Sequence, residues 1–92
     1  PPLHFGEGVF GIGEDVREVL ECDLKLEIKS REDLIAAISH CEKAKDFVSR
    51  ELFEKILENE EEHIDWLETQ LNLIELVGVQ NYLQKQIEPD ED

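Results

Sequence analysis

The segment Glu60-Glu61-Glu62-His63-Ile64-Asp65-Trp66-Leu67 is the most informative part of the sequence, because it places a carboxylate and an imidazole on the apolar side of a helix. At about 100° per residue, Glu60 and His63 share one side of the helix with Leu52, Phe53, Ile56, Leu57, Ile64, Leu67 and Leu71. A buried charge is costly unless it is paired or coordinated. An inward-facing Glu-x-x-His is the unit that di-iron four-helix bundles take from a helix. The motif therefore predicts a metal site inside a helical bundle.

Glu27 is a second carboxylate on an apolar helix side. The same projection puts it among Val16, Val19, Leu20, Leu24, Leu34, Ile35, Ile38 and Cys41. A helix–helix turn near 44–46 would set residue 27 opposite residue 62, between Glu60 and His63. Two separate anomalies then meet at one level of a helical hairpin, which surface charge alone does not explain.

The alternative interpretation is an acidic helical module that assembles but has no metal chemistry. The chain contains 24 Asp and Glu residues, so a Glu-x-x-His on a solvated face can arise by chance. The position of Glu60 and His63 at the centre of the apolar side favours the metal site.

The chemistry of these residues suits iron. Carboxylate and imidazole donors bind Fe²⁺ and Fe³⁺, and a di-iron bundle uses a Glu from each of two helices and a Glu-x-x-His from each of the other two. This chain supplies half of that set: Glu27 as a terminal ligand, Glu60 as a bridging carboxylate and His63 as the imidazole. Asp23, one turn before Glu27, is a candidate acceptor for the second N–H of a ligand histidine. A second hairpin must supply the other half.

Composition excludes several classes of function. The chain has 92 residues and a formal net charge of −15, which argues against nucleic acid as a partner. It contains no apolar run long enough for a membrane span and no signal peptide. Cys22 and Cys41 are too few for a disulfide framework and favour reduced thiols in a cytoplasmic protein. Because the chain contains no methionine, even at position 1, we expect a processed product or a segment of a longer protein.

The pattern along the chain predicts an all-α fold in one small domain or part of one. We expect a loop over 1–13, where four of the five glycines lie, then helices over 14–43, 46–77 and 80–87, and an acidic tail over 88–92. Ser30-x-x-Asp33 resembles a capping box, but the apolar stripe keeps its phase across it, so the first helix should be continuous. Two long helices with wide apolar sides require further helices to cover them.

The residues resemble bacterioferritin, specifically its C-terminal half. The matching stretches are 12–16 (IGEDV), 23–27 (DLKLE), 48–51 (VSRE), 60–70 (EEEHIDWLETQ) and 80–83 (QNYL), which together extend over almost all of the chain. The resemblance implies a ferritin-like helical hairpin forming half of a four-helix bundle, with a short C-terminal helix. The family forms cages that oxidise Fe²⁺ with O₂ and store ferric mineral. It further implies that Glu27, Glu60 and His63 are ferroxidase ligands and that Asn81 and Gln84 line a pore of the cage.

The departures from the family pattern concern what the chain lacks. The family's first two helices, with the other Glu and Glu-x-x-His, are not in this chain. Haem is not expected from this chain alone, because the family binds it through methionines and none is present. Glu62 stands where the family often has a small residue. We expect the missing half-site to come from the N-terminal half as a separate chain, or else from a second copy of this chain, within a cage-like oligomer.

Overall fold

The computed structural model describes the backbone of residues 5–87 and the side chains of residues 15–87. Three helices make up this part of the chain: α1 (Phe5–Ala44), α2 (Phe47–Val77) and α3 (Val79–Ile87). The long helices α1 and α2 pack as an antiparallel hairpin, and the short α3 contacts both of them. No strand occurs in residues 5–87. The expected all-α hairpin with a short C-terminal helix is confirmed.

The helix α1 begins earlier than the sequence predicts. It starts at Phe5, so the prediction of a loop over 1–13 is wrong for residues 5–13. A glycine costs a helix only about 1 kcal/mol relative to alanine, and no proline, the residue that would break the helix, occurs between Pro2 and Pro89. The glycines therefore lower the stability of the helix in this glycine-rich stretch without ending it. The first four residues and the acidic tail over 88–92 lie outside the described residues.

The turn between α1 and α2 lies where the sequence predicts it. Lys45 adopts a left-handed conformation with φ 60°, and the Asp46 N–H donates to the Cys41 carbonyl at 2.8 Å. Asp46 caps α2, since its Oδ1 accepts a hydrogen bond from the Ser49 N–H at 3.1 Å. Hydrogen bonds from Ser49, side chain first and backbone second, lower the pKa of Asp46. One capped turn thus sets the two long helices side by side.

The third helix completes a small core at the far end of the hairpin. Gly78 ends α2 with φ 83°, a conformation that suits glycine. The core contains Leu20, Leu67, Ile74 and Tyr82, one or more from each helix. The Tyr82 hydroxyl donates to the Gln70 Oε1 at 2.7 Å, which satisfies the buried Gln70 amide oxygen. Burial raises the pKa of Tyr82.

Two ion pairs bridge α1 and α2 near opposite ends of the hairpin. The Arg17 Nη1 lies 3.4 Å from the Glu75 Oε2, and the Arg50 Nη1 lies 3.4 Å from the Glu42 Oε1. Exposed pairs of this kind add little stability, but they report the register of the two helices. Glu27 and His63 lie between them.

One side of the hairpin exposes apolar residues, and we call it the open face. It carries Val19, Leu26, Leu52, Ile56 and Trp66, each of which is at least 40% exposed. A helical projection puts all five on the same side of the hairpin. A patch of this kind marks an interaction surface. None of the helices described in residues 5–87 is both long enough and apolar enough to cross a membrane.

Candidate metal half-site

Glu27 and His63 meet across the hairpin near its middle. The His63 Nδ1 lies 3.4 Å from the Glu27 Oε2, an ion pair whenever the imidazole is protonated. The Glu27 side chain is 23% exposed and the His63 side chain 47% exposed, so the pair sits at the edge of the open face rather than deep in a core. The side-chain nitrogen that faces the carboxylates is therefore Nδ1.

Glu60 brings a second carboxyl group against Glu27. The pKa of Glu60 is raised, first by its hydrogen bond with the Glu27 carboxyl and then by burial. The pKa of Glu27 is lowered, first by the same hydrogen bond from Glu60 and also by His63. Two carboxyl groups this close disfavour ionisation of both at once. When both carboxyl groups are ionised, neither can donate a hydrogen bond to the other. The Glu60 Oε2 is buried and has no hydrogen-bond partner among the described residues.

The three side chains thus present two carboxylates and one imidazole nitrogen to a common region. A buried carboxylate oxygen without a donor is costly, and a cation would satisfy it. In the part of the chain whose side chains are described, no group of three or more His, Cys, Asp or Glu residues is arranged to hold a metal ion by itself. The arrangement fits a half-site, in which further ligands must come from outside this hairpin. A groove of about 390 Å³, lined by Ser30, Phe53, Ile56 and Glu60 among others, leads to it from the open face.

The other predicted residues lie away from this centre. Asp23 is exposed on α1, and the described acceptor for a His63 ring nitrogen is Glu27 rather than Asp23. Asn81 and Gln84 are exposed on α3, and the Asn81 Nδ2 donates to the Val77 carbonyl at 2.8 Å. Their roles next to a ligand and in a pore depend on an assembly and stay predictions.

Two features of the structure are not apparent from the sequence pattern. Trp66 lies beside His63, with ring centroids 6.2 Å apart and planes tilted by 31°. Gln70 is buried through its hydrogen bond with Tyr82. The spacing i, i+3 could have suggested the first contact, whereas the second depends on how α3 folds back.

Comparisons with known proteins identify the family of this chain. The family model for the ferritin-like domain matches residues 4–77. The chain belongs to the ferritin family. Among its relatives, the bacterial ferritin of Pseudomonas aeruginosa is 50% identical over 76 residues, 82% of this chain and 49% of that protein. The bacterioferritin of Brucella melitensis is 43% identical over 81 residues, 88% of this chain and 50% of that protein.

A relative from a third genus matches over a similar stretch. The bacterioferritin of Mycobacterium avium is 44% identical over 71 residues, 77% of this chain and 45% of that protein. The resemblance to bacterioferritin is confirmed, and the chain spans about half the length of these ferritin-family relatives.

Replacing Glu60 with glutamine should stabilise the metal-free protein above mildly acidic pH. The folded-state pKa of Glu60 is raised from its ordinary value of 4.5. Glu60 therefore contributes to the free energy of unfolding below pH 4.5, and this contribution is lost as the pH rises through the raised pKa. Glu27 has a lowered pKa, so it contributes to the free energy of unfolding above its ordinary pKa. That contribution is lost only as the pH falls through the lowered pKa. Glu60→Gln keeps a donor for Glu27 and removes the repulsion. Thermal unfolding should show a higher Tm for the variant at about pH 7 and a shrinking difference toward about pH 4.

The control for this prediction is Glu61→Gln, which removes the same charge from an exposed neighbour on α2. Its Tm should follow the wild type with no such pH dependence. If Glu60→Gln and Glu61→Gln shift the Tm equally at every pH, the repulsive carboxyl pair does not exist.

Proposed function

We propose that this chain forms half of a ferroxidase bundle that oxidises Fe²⁺ to Fe³⁺ with O₂, for iron storage and detoxification inside a protein cage. The observation that carries the proposal is the convergence of Glu27, Glu60 and His63, with a buried carboxylate oxygen lacking a donor, in a chain of the ferritin family. Iron is the substrate of this reaction, and O₂ accepts its electrons.

Each of the three residues has a distinct role in the proposal. Glu60, whose carboxyl group lies between the two helices, is suited to bridge two ions. Glu27 provides a terminal carboxylate from α1. His63 provides Nδ1, the nitrogen that faces the carboxylates. Carboxylate oxygen and imidazole nitrogen are donors that suit both Fe²⁺ and Fe³⁺, so one ligand set can hold iron through its oxidation.

The other half of the site requires two more helices on the open face. We favour the N-terminal half of a bacterioferritin, present alongside this chain, because the relatives are about twice as long as the stretch they share with it. A second copy of this chain would also complete the ligand count, since di-iron bundles are pseudo-two-fold. Self-pairing, however, would leave packing defects and bring together two chains of formal charge −15.

Further parts of the proposal follow from the assembly. Asn81 and Gln84 would line a pore of the cage, and Asp23 would support a ligand histidine once the bundle is complete. A cytoplasmic location is proposed as well. Haem held by methionine sulfur would need its ligands from outside these 92 residues.

A structural acidic module without metal chemistry is the second candidate. It is favoured by the finding that the described side chains form no complete metal site. Elemental analysis of the purified assembly after incubation with Zn²⁺, a redox-inert substitute for iron, separates the two. The proposed function predicts about two bound ions per four-helix bundle, lost in Glu60→Ala His63→Ala. An assembly that binds no metal at this site would favour the structural module.

Native mass spectrometry tests the source of the missing helices. We expect this chain in a one-to-one ratio with a second polypeptide of bacterioferritin type. A complex built only from the 92-residue chain would contradict the partner preference and leave the self-paired bundle as the arrangement to examine.

A further inference from the structure

We infer that Trp66 is a positioning residue for His63, an inference that rests on the proposed function. It goes beyond that function because it assigns a role to a residue that would not itself touch iron. Trp66 acts through His63, whose imidazole is the one that this chain contributes to the half-site.

The rings of Trp66 and His63 are in contact. Trp66 and His63 lie three residues apart on α2, and their centroids are 6.2 Å apart with a tilt of 31°. This separation is within the range in which aromatic rings attract each other. The imidazole therefore contacts both Glu27, through its Nδ1, and the indole of Trp66.

A hydrogen bond from its second ring nitrogen could also orient the imidazole. A ligand histidine is usually fixed by a hydrogen bond from its second ring nitrogen to a carboxylate or carbonyl. Across residues 15–87, where side chains are described, the polar contact of the His63 ring is the one from Nδ1 to Glu27, and its Nε2 makes no such bond. Besides the Glu27 contact at Nδ1, packing against Trp66 is the restraint that the described residues provide on rotation of the ring about its Cβ–Cγ bond.

Trp66 and His63 both lie at the open face of the hairpin. Trp66 is 51% exposed and belongs to the open face, and the His63 side chain is 47% exposed beside it. Helices that cover the open face would press the indole against the imidazole. Trp66 thus couples completion of the bundle to the orientation of Nδ1 toward Glu27 and Glu60.

The test compares Trp66→Leu with the conservative Trp66→Phe in the assembled protein. Crystal structures without metal should show His63 Nδ1 toward Glu27 in the wild type and in Trp66→Phe, and a rotated or split imidazole in Trp66→Leu. Titration with Co²⁺, followed by its visible absorption, should show about tenfold weaker binding in Trp66→Leu. Trp66→Phe should restore binding to within about threefold of the wild type.

The control is Leu52→Ala, which removes another exposed apolar side chain from the open face without touching His63. It should change neither the imidazole orientation nor the Co²⁺ spectrum. An unchanged imidazole and unchanged Co²⁺ affinity in Trp66→Leu would overturn the inference, as would equal losses in Trp66→Leu and Leu52→Ala. A wild type that binds no Co²⁺ would instead refute the proposed function, and the metal-free crystal structures would then decide the role of Trp66.

Discussion

Replacing Glu60 and His63 together with alanine is expected to abolish rapid Fe²⁺ oxidation in the assembled protein. The double variant removes the proposed bridging carboxylate and the imidazole from the centre, leaving Glu27 alone on this hairpin. Loss of residues that only support a ligand already costs 10–100-fold in metal affinity or activity, so removal of two ligands should slow the initial rate by more than about 100-fold. Stopped-flow absorbance of the ferric product after mixing with Fe²⁺ and O₂ measures it.

The matched control for this variant is His40→Ala Glu61→Ala. It replaces the same two residue types at exposed positions, one on α1 and one on α2, outside the half-site. Its rate should stay close to that of the wild type. Unchanged oxidation kinetics in Glu60→Ala His63→Ala would remove the basis for the proposed ferroxidase centre.

Replacing the core residue Leu67 with alanine is expected to cause a large loss of stability. Leu67 is fully buried, at 0% exposure, where the three helices meet beside Leu20, Ile74 and Tyr82. Leu67→Ala should lower the free energy of unfolding by about 3 kcal/mol, through lost burial and the cavity left behind. Urea unfolding followed by the helical circular dichroism signal provides the measurement.

Leu76→Ala is the control for the core variant, since Leu76 lies on the same helix and is 80% exposed. It should change the free energy of unfolding by less than about 0.5 kcal/mol. Equal losses in the two variants would mean that the contacts between the three helices are not what holds the hairpin together.

The turn and the C-terminal end of the hairpin were predictable because each has a local cause in the sequence. Asp46 can cap a helix and Gly78 can end one, and both do so. The apolar stripes fixed which sides of α1 and α2 pack together. The opposition of Glu27 to the Glu60–His63 segment followed from counting residues back from the turn, and the 3.4 Å contact between Glu27 and His63 agrees with it.

The features that escaped prediction depend on packing that periodicity does not encode. Glycines near the start of α1 suggest a loop, yet their helical cost is small enough for the helix to begin at Phe5. The burial of Gln70 depends on the direction in which α3 leaves Gly78. The direct pairing of His63 with Glu27 rather than Asp23 depends on side-chain conformations, which a helical projection does not resolve.

The central claim is that Glu27, Glu60 and His63 hold iron together once the bundle is complete. Anomalous diffraction at the iron absorption edge, from crystals of the assembled protein loaded with Fe²⁺ without O₂, tests it most directly. The claim predicts anomalous peaks within coordination distance of the Glu27 and Glu60 carboxylates and of the His63 Nδ1. Iron peaks found only elsewhere on the protein, with these three side chains left uncoordinated, would contradict it.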